Sequence, residues 1–105
     1  MVGRLRDGGL EIDKSTLMFD DPPLLAVVDS AANALRIHHA FTKDIDGRSD
    51  HANFRQADIS AMAFFTGFHR DYHRATDVVA KLDVSGIGRV TDVAKAVVRF
   101  AADRK

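Results

Sequence analysis

The stretch "SAMAFFTGFHRDYHRATDVVAKL", residues 60–82, decides which fold the sequence predicts. Apolar and aromatic side chains recur in it every three or four residues, which is the spacing of one helix face. This stripe comprises Met62, Phe65, His69, Tyr72, Thr76 and Val79, and it is widened by Phe64, Phe68, Ala75 and Leu82. Charged side chains fill the opposite side. The pattern predicts one long helix that starts between residues 53 and 58 and ends near residue 83.

Two further helices are predicted on either side of this one. "DDPP" at residues 20–23 supplies an acidic N-cap before two prolines, which the first turn of a helix tolerates. The third helix has its apolar face at Val90, Val93, Val97, Phe100 and Ala101. We therefore predict an all-α fold, a three-helix domain at residues 21–105 preceded by a short extended N-terminal arm at residues 1–20. "LEIDKSTLMF" alternates only briefly, so this part could also hold a short strand.

Composition narrows the functional classes. The chain of 105 residues is 46% apolar, which is enough for one domain to bury a core of its own. It contains no cysteine, so disulfides, thiolate metal sites and thiol nucleophiles are excluded. The N-terminus has no apolar run of the kind found in signal peptides, and the sequence contains no membrane-spanning stretch. We expect a cytoplasmic protein without a membrane partner.

Charge gives little indication of a partner. Fifteen basic and fifteen acidic residues cancel, so no overall field attracts nucleic acid. Only the last 25 residues are locally basic, with six basic residues against three acidic ones. This excess is typical of a solvated helix face, although it leaves nucleic-acid binding open.

The apolar stripe of the second helix is wider than one neighbouring helix can cover. We therefore expect the chain to associate with itself or with a helical protein partner through this face. The leading hypothesis is a non-enzymatic interaction module without a cofactor, and enzymatic activity stays open. The predicted interface consists of Met62, Phe64, Phe65, Phe68, His69 and Tyr72.

"VSGIGRV" at residues 84–90 supports a second hypothesis. It resembles the hairpin of helix-hairpin-helix DNA-binding modules, in which an apolar residue lies between two glycines. The backbone N–H groups of Gly86 and Gly88 would then hold a phosphate, while Arg89 and Lys95 supply charge. Asp92 departs from the family pattern, which has a small or apolar residue there. A simple helix break, with Gly86 as the C-cap, is the competing interpretation.

Histidines support a third hypothesis, a metal-dependent site. His69 and His73 are four residues apart, which on a helix aims two imidazoles at one ion, and Asp77 continues the same line. His38 on the first helix could complete the set. Neighbouring arginines oppose a cation, so histidines of the core or of an interface are the alternative.

"TKDIDGRSDHAN", residues 42–53, partly matches a calcium-binding loop through Asp44, Asp46 and Gly47. Thr42 stands where the first aspartate should be, and Asn53 replaces the bidentate glutamate at the end. Because both principal ligands are missing, a polar turn between helices is the preferred interpretation.

Phe65-Thr66-Gly67 fits the predicted second helix as ordinary core with one glycine, but it can also be a central aromatic-x-Gly flanked by two long helices. The chain is in this respect similar to the small leaderless helical-hairpin proteins of type VII secretion systems, which carry Trp-x-Gly at the turn between two helices. "LEIDKSTL" is also similar to the opening of some related secretion-associated proteins. This resemblance implies a helical hairpin, assembly with a helical partner and export without a leader.

Overall fold

The protein folds as an α/β domain built on a three-stranded sheet. A computed structural model describes residues 1–14, 21–43 and 48–104. The strands form one mixed sheet in the order β2-β1-β3. The elements are α1 (Leu5–Gly8), β1 (Leu10–Asp13), α2 (Pro22–Ala34), β2 (His39–Thr42), α3 (His51–Gln56), β3 (Ala63–Phe65), a 3₁₀ turn (Val79–Lys81) and α4 (Val84–Asp103). The predicted all-α fold is therefore wrong.

Strand β1 lies at the centre of the sheet. It runs parallel to β2, with Ile12 opposite Phe41, and antiparallel to β3, with Ile12 opposite Phe64. Because side chains alternate along a strand, these three residues lie on one face of the sheet. Asp13 and Phe65 lie on the other face.

The hydrophobic core lies between the first face of the sheet and two helices. Helices α2 and α4 pack against each other, and both contribute side chains that are fully or nearly fully buried. The core cluster consists of Leu5, Leu10, Ile12, Val28, Ala32, Ile37, Val90 and Val93. Polar and aromatic side chains, among them Asp13 and Phe65, cover the second face of the sheet.

Helix α2 confirms the helix that the sequence predicts after "DDPP". Asp21 is its N-cap, and the carboxylate accepts a hydrogen bond from Leu24 N at 3.1 Å. The helix ends at Ala34, where Arg36 takes a left-handed conformation with φ 54°. His38 follows this end, outside the helix on which the metal hypothesis placed it.

Helix α4 confirms the third predicted helix but begins earlier than expected. Asp83 caps it by accepting a hydrogen bond from Gly86 N at 2.9 Å. Gly86 and Gly88 therefore lie in the first turns of one continuous helix. The predicted helix break with Gly86 as C-cap is wrong, because a helix begins here and none ends.

The long helix predicted over residues 60–82 is also wrong. This segment contains β3, a series of turns and one 3₁₀ turn. Two of its residues have left-handed backbones, Gly67 with φ 85° and His73 with φ 54°, and neither fits an α-helix. Tertiary contacts set the conformation of this segment.

Two sequence predictions fall on parts of the chain that the structure leaves undescribed. The proposed boundary between an arm at residues 1–20 and a domain at residues 21–105 lies next to one such part. Asp44, Asp46 and Gly47 of the predicted polar turn lie within another. In the described ranges, no helix is both long enough and apolar enough to cross a membrane.

Candidate functional site

Tyr72 and His73 form a stacked pair in the segment between β3 and α4. Their ring centroids are 4.0 Å apart and their planes differ by 15°. His73 is exposed and has φ 54°, a conformation that is uncommon for residues with a side chain. Such strained residues persist only where their surroundings hold them, and they cluster at functional sites. This pair is therefore the starting point of the candidate site.

Three more rings fix the orientation of Tyr72. Phe68 contacts it edge to face at 4.9 Å, while Phe65 and His69 each lie 6.2 Å from it. Edge-to-face contacts of this kind are the favoured arrangement of aromatic pairs. Since Phe65 belongs to β3, the cluster ties the Tyr72 ring to the second face of the sheet.

Arg4 connects the N-terminal residues to this segment. Its guanidinium is buried, and its Nη2 donates to Asp77 Oδ1 at 2.6 Å and to Asp71 Oδ2 at 3.4 Å. Its Nη1 lies 3.4 Å from Asp7 Oδ2. The hydrogen bond with Asp77 is the main cause that raises the pKa of Arg4 above its ordinary value. The cation is therefore firmly charged inside the protein.

Asp71 is the second centre of this network. Its carboxylate accepts a hydrogen bond from Lys81 Nζ at 2.8 Å and another from Thr76. Together with Arg4, these contacts hold the pKa of Asp71 well below its usual range, although burial of the carboxyl acts in the opposite direction. Asp71 stays ionised over the whole physiological pH range.

A cavity of about 280 Å³ separates the N-terminal residues from this segment. Arg4, Thr66, His69 and Asp77 contribute to its wall. His69 Nε2 lies 3.9 Å from Asp77 Oδ2, which is longer than a hydrogen bond. The rest of the wall is mostly apolar, and neither Tyr72 nor His73 contributes to it.

A second His–Asp pair is buried under α3. His51, the first residue of that helix, places Nε2 3.9 Å from Oδ2 of Asp13 at the end of β1. Both side chains are almost fully buried, and within the described residues neither ring nitrogen of His51 has a hydrogen-bond partner. No sequence pattern indicates this pair, because the two residues are far apart in the chain.

The structure brings two residues of the predicted metal site near each other, since His69 Nε2 lies 3.9 Å from Asp77 Oδ2. His69, His73 and Asp77 lie in turns, so the four-residue spacing no longer places them on one helix face. His38 precedes β2, which lies on the opposite edge of the sheet from β3, and it contacts the position of Gly9. Among the described residues, no group of three or more His, Asp or Glu side chains could hold a metal ion.

The predicted phosphate site has no hairpin. The guanidinium of Arg89 is hydrogen-bonded to the carbonyls of Leu35 and Arg36, at the end of α2. Lys95 lies on the exposed side of α4, within 3.5 Å of Asp92. Gly86 packs closely against Leu5, so its role is steric.

The six residues of the predicted interface do not share a helix face either. Met62 and Phe64 pack against the core, whereas Phe65 is buried on the opposite side of the sheet and Phe68 is about half exposed. Association with a second copy or with another protein stays a prediction, but the helical face through which it was expected is not formed.

A comparison with protein-family models matches residues 12–98 to the model described as "Peptidase family M28". Among curated proteins and solved structures, no match is found. The resemblance to type VII secretion proteins is therefore wrong, and Phe65-Thr66-Gly67 lies at the end of strand β3, where it does not form the turn of a helical hairpin. The prediction of a non-enzymatic helical interaction module is wrong for the same reason, and neither of its two alternatives is better supported.

Proposed function

Because the chain belongs to peptidase family M28, we propose that it acts in peptide-bond hydrolysis, with the Tyr72–His73 pair at the reaction centre. The observation that carries the proposal is the family match, since residues 12–98 include this pair and most of the network around it. The strained backbone of His73 supports the choice of the centre.

Peptide hydrolysis requires that the carbonyl be polarised, that a water molecule attack it and that the leaving amine be protonated. A thiol nucleophile is excluded, since the chain has no cysteine. The hydroxyl of Tyr72 can donate a hydrogen bond to the carbonyl oxygen as negative charge develops there. Since four neighbouring rings hold the Tyr72 ring, this donor needs little reorganisation during the reaction.

The imidazole of His73 can serve the same reaction in two ways. It can take a proton from the attacking water and return it to the leaving amine, or it can be one ligand of a metal ion that activates the water. A catalytic metal needs about three protein ligands. The described residues offer no such group, so His73 would be at most one ligand, and we derive no step through a metal.

The test is hydrolysis of a mixed set of short fluorogenic peptides by the purified chain. We expect Tyr72→Phe to lower kcat by roughly 10²-fold, the cost of losing one donor to the oxyanion. His73→Ala should abolish turnover. The matched control is His38→Ala, because His38 is an exposed histidine remote from the pair, and it should leave the rate unchanged.

The assay also separates the two roles of His73. Activity that a chelator removes and Zn²⁺ restores shows a metal requirement and favours the ligand role of His73, whereas activity that resists the chelator favours its role as the base. Full activity in both Tyr72→Phe and His73→Ala would reject this reaction centre. Absence of any cleavage by the wild type, with and without added Zn²⁺, would reject the peptidase activity itself.

A further inference from the structure

We propose that Arg4 is a positioning residue, which holds the Tyr72–His73 pair in its strained conformation. This inference deepens the proposed function and rests on it for its kinetic readout. Arg4 does not contact either ring. It acts through Asp71 and Asp77, the two carboxylates on either side of the pair in the sequence.

The geometry of Arg4 suits this role. One nitrogen of its guanidinium, Nη2, reaches both Asp71 and Asp77, and thus closes the five-residue segment between them into a loop. The backbone N–H of Arg4 donates to Thr66 Oγ1 at 3.2 Å, just after β3. Arg4 therefore holds the segment at two places, at Thr66 directly after β3 and at the two aspartates that flank the Tyr72–His73 pair.

The charges around Arg4 explain why it cannot be replaced easily. Asp7, Asp71 and Asp77 surround two cations, Arg4 and Lys81. Without Arg4, Asp71 would retain Lys81 and Asp7 would retain the exposed Arg6 at 3.9 Å, whereas Asp77 would lose its short ion pair. Removing one partner from a buried ion network leaves charge uncompensated. Repulsion would then move Asp77 away and open the loop that holds His73.

The substitution Arg4→Lys would keep the positive charge but lose the planar group of several hydrogen-bond donors. An ammonium group is a compact point charge, whereas a guanidinium presents several donors in a fixed plane. We therefore expect that Arg4→Lys leaves the fold intact and loosens the loop, because one ammonium cannot reach Asp7, Asp71 and Asp77 together.

The chain contains a built-in probe for this effect. Tyr72 is its single tyrosine and it has no tryptophan, so tyrosine fluorescence reports on this position alone. Dissolved acrylamide quenches the fluorescence of a tyrosine ring to the extent that the ring is accessible. While His73 and Phe68 cover the Tyr72 ring, quenching should therefore be weak, and it should increase once the loop opens, whether or not the chain is an active peptidase.

The experiment compares Arg4→Lys with Arg99→Lys, which makes the same replacement at an exposed arginine of α4. We expect Arg4→Lys to increase the acrylamide quenching of Tyr72 fluorescence and to lower kcat by roughly 10²-fold, the usual cost of a misplaced catalytic group, with little change in KM. Arg99→Lys should match the wild type in both measurements. Asp77→Asn should shift both measurements in the same direction, because it removes the negative charge from one of the two groups that Arg4 holds and leaves a weaker, neutral acceptor.

Each failure has its own signature. A folded Arg4→Lys protein with the wild-type quenching curve would overturn the inference. If Arg4→Lys does not fold, Asp77→Asn decides in its place, since the Asp77 side chain is 31% exposed and its replacement is tolerated more easily. A wild type without peptidase activity would refute the proposed function alone, because the quenching curves would still decide the role of Arg4.

Discussion

Arg89 donates a hydrogen bond to the carbonyl oxygen of Leu35 across 3.0 Å, and a second one to the next carbonyl across 2.9 Å. These carbonyls belong to the end of α2, where a helix leaves its last acceptors unsatisfied and carries partial negative charge. The cation therefore joins α4 to the C-terminus of α2. In the sequence, the same arginine suggested a phosphate site.

We expect Arg89→Met to lower the free energy of unfolding by about 1–3 kcal/mol, because two carbonyls lose a charged donor. Urea denaturation measures this loss. Arg99→Met, the same replacement on an exposed part of α4, should stay within about 0.5 kcal/mol of the wild type. Equal stabilities of the two variants would show that the contact of Arg89 with α2 contributes nothing.

The region around Arg89 also shows why the start of α4 was missed. Asp83 is an N-cap signal, since an aspartate before an apolar periodic stretch begins many helices. Gly86 and Gly88 argued against a helix, because glycine is among the weakest helix formers. Packing overrides this preference at Gly86, where a larger residue would collide with Leu5. That collision depends on a residue from the other end of the chain, which no local pattern contains.

The two glycines of this helix should respond in opposite directions to alanine. A Cβ on Gly86 would lie 2.7 Å from Leu5 Cβ and would also meet the carboxylate of Asp83, so we expect a loss of about 1–3 kcal/mol. A Cβ on Gly88 would meet no atom within 4 Å. Gly88→Ala should therefore stabilise the helix by about 0.5–1 kcal/mol. Thermal unfolding of both variants checks the signs, and a shift in the same direction for both would contradict this explanation.

The segment at residues 60–82 shows the limit of periodicity as evidence. Its apolar spacing fits a helix, yet Phe64 and Phe65 lie on opposite faces of β3, as neighbouring residues of a strand do. The strands have only three or four residues, too few for alternation to be recognised. These short segments form strands because they pair with one another in the sheet. The partners are distant in the chain, since an undescribed part and helix α2 lie between β1 and β2.

The candidate site was predictable only in part. His73 and Asp77 were identified from their chemistry, although the helix that was meant to align them does not exist. Arg4 could not be found, because 67 positions separate it from Asp71 and no motif links them. The tertiary fold brings these charges together, and a single sequence contains no signal for that contact.

Asp21, predicted as an N-cap candidate, has a second partner that the sequence did not indicate. Arg104 donates to both of its carboxylate oxygens, at 2.5 and 2.8 Å, and this contact is the main cause that lowers the pKa of Asp21. We expect Arg104→Ala to return that pKa towards about 3.9. Carboxyl NMR titration measures the change, with Arg99→Ala as the control.

The sign of the pH effect at Asp21 follows from the direction of its pKa shift. A carboxyl with a lowered pKa in the folded state stabilises the protein above its unfolded pKa and loses that contribution as the pH falls through the folded value. The wild type should therefore lose stability more steeply than Arg104→Ala below about pH 4. Parallel curves for the two proteins in acid would show that the ion pair has no energetic effect.

His39 should make the stability depend on pH near neutrality. Burial alone lowers the pKa of His39, but its ring bonds to the Ile37 carbonyl at 2.9 Å and to the Asp29 carboxylate at 2.8 Å outweigh burial and raise it. Both partners accept hydrogen bonds, so the doubly protonated ring satisfies both. A raised pKa stabilises the folded state below the unfolded value of about 6.5, and the contribution is lost as the pH rises through the folded pKa.

Because Asp29 is half exposed, we expect its pair with protonated His39 to contribute about 0.5 kcal/mol to the free energy of unfolding. Asp29→Asn should remove this part of the pH dependence between about pH 6 and 8, whereas Asp92→Asn, the same replacement on exposed α4, should retain it. Urea denaturation at several pH values measures the difference, and a wild type that gains stability over this range relative to Asp29→Asn would reverse the assignment.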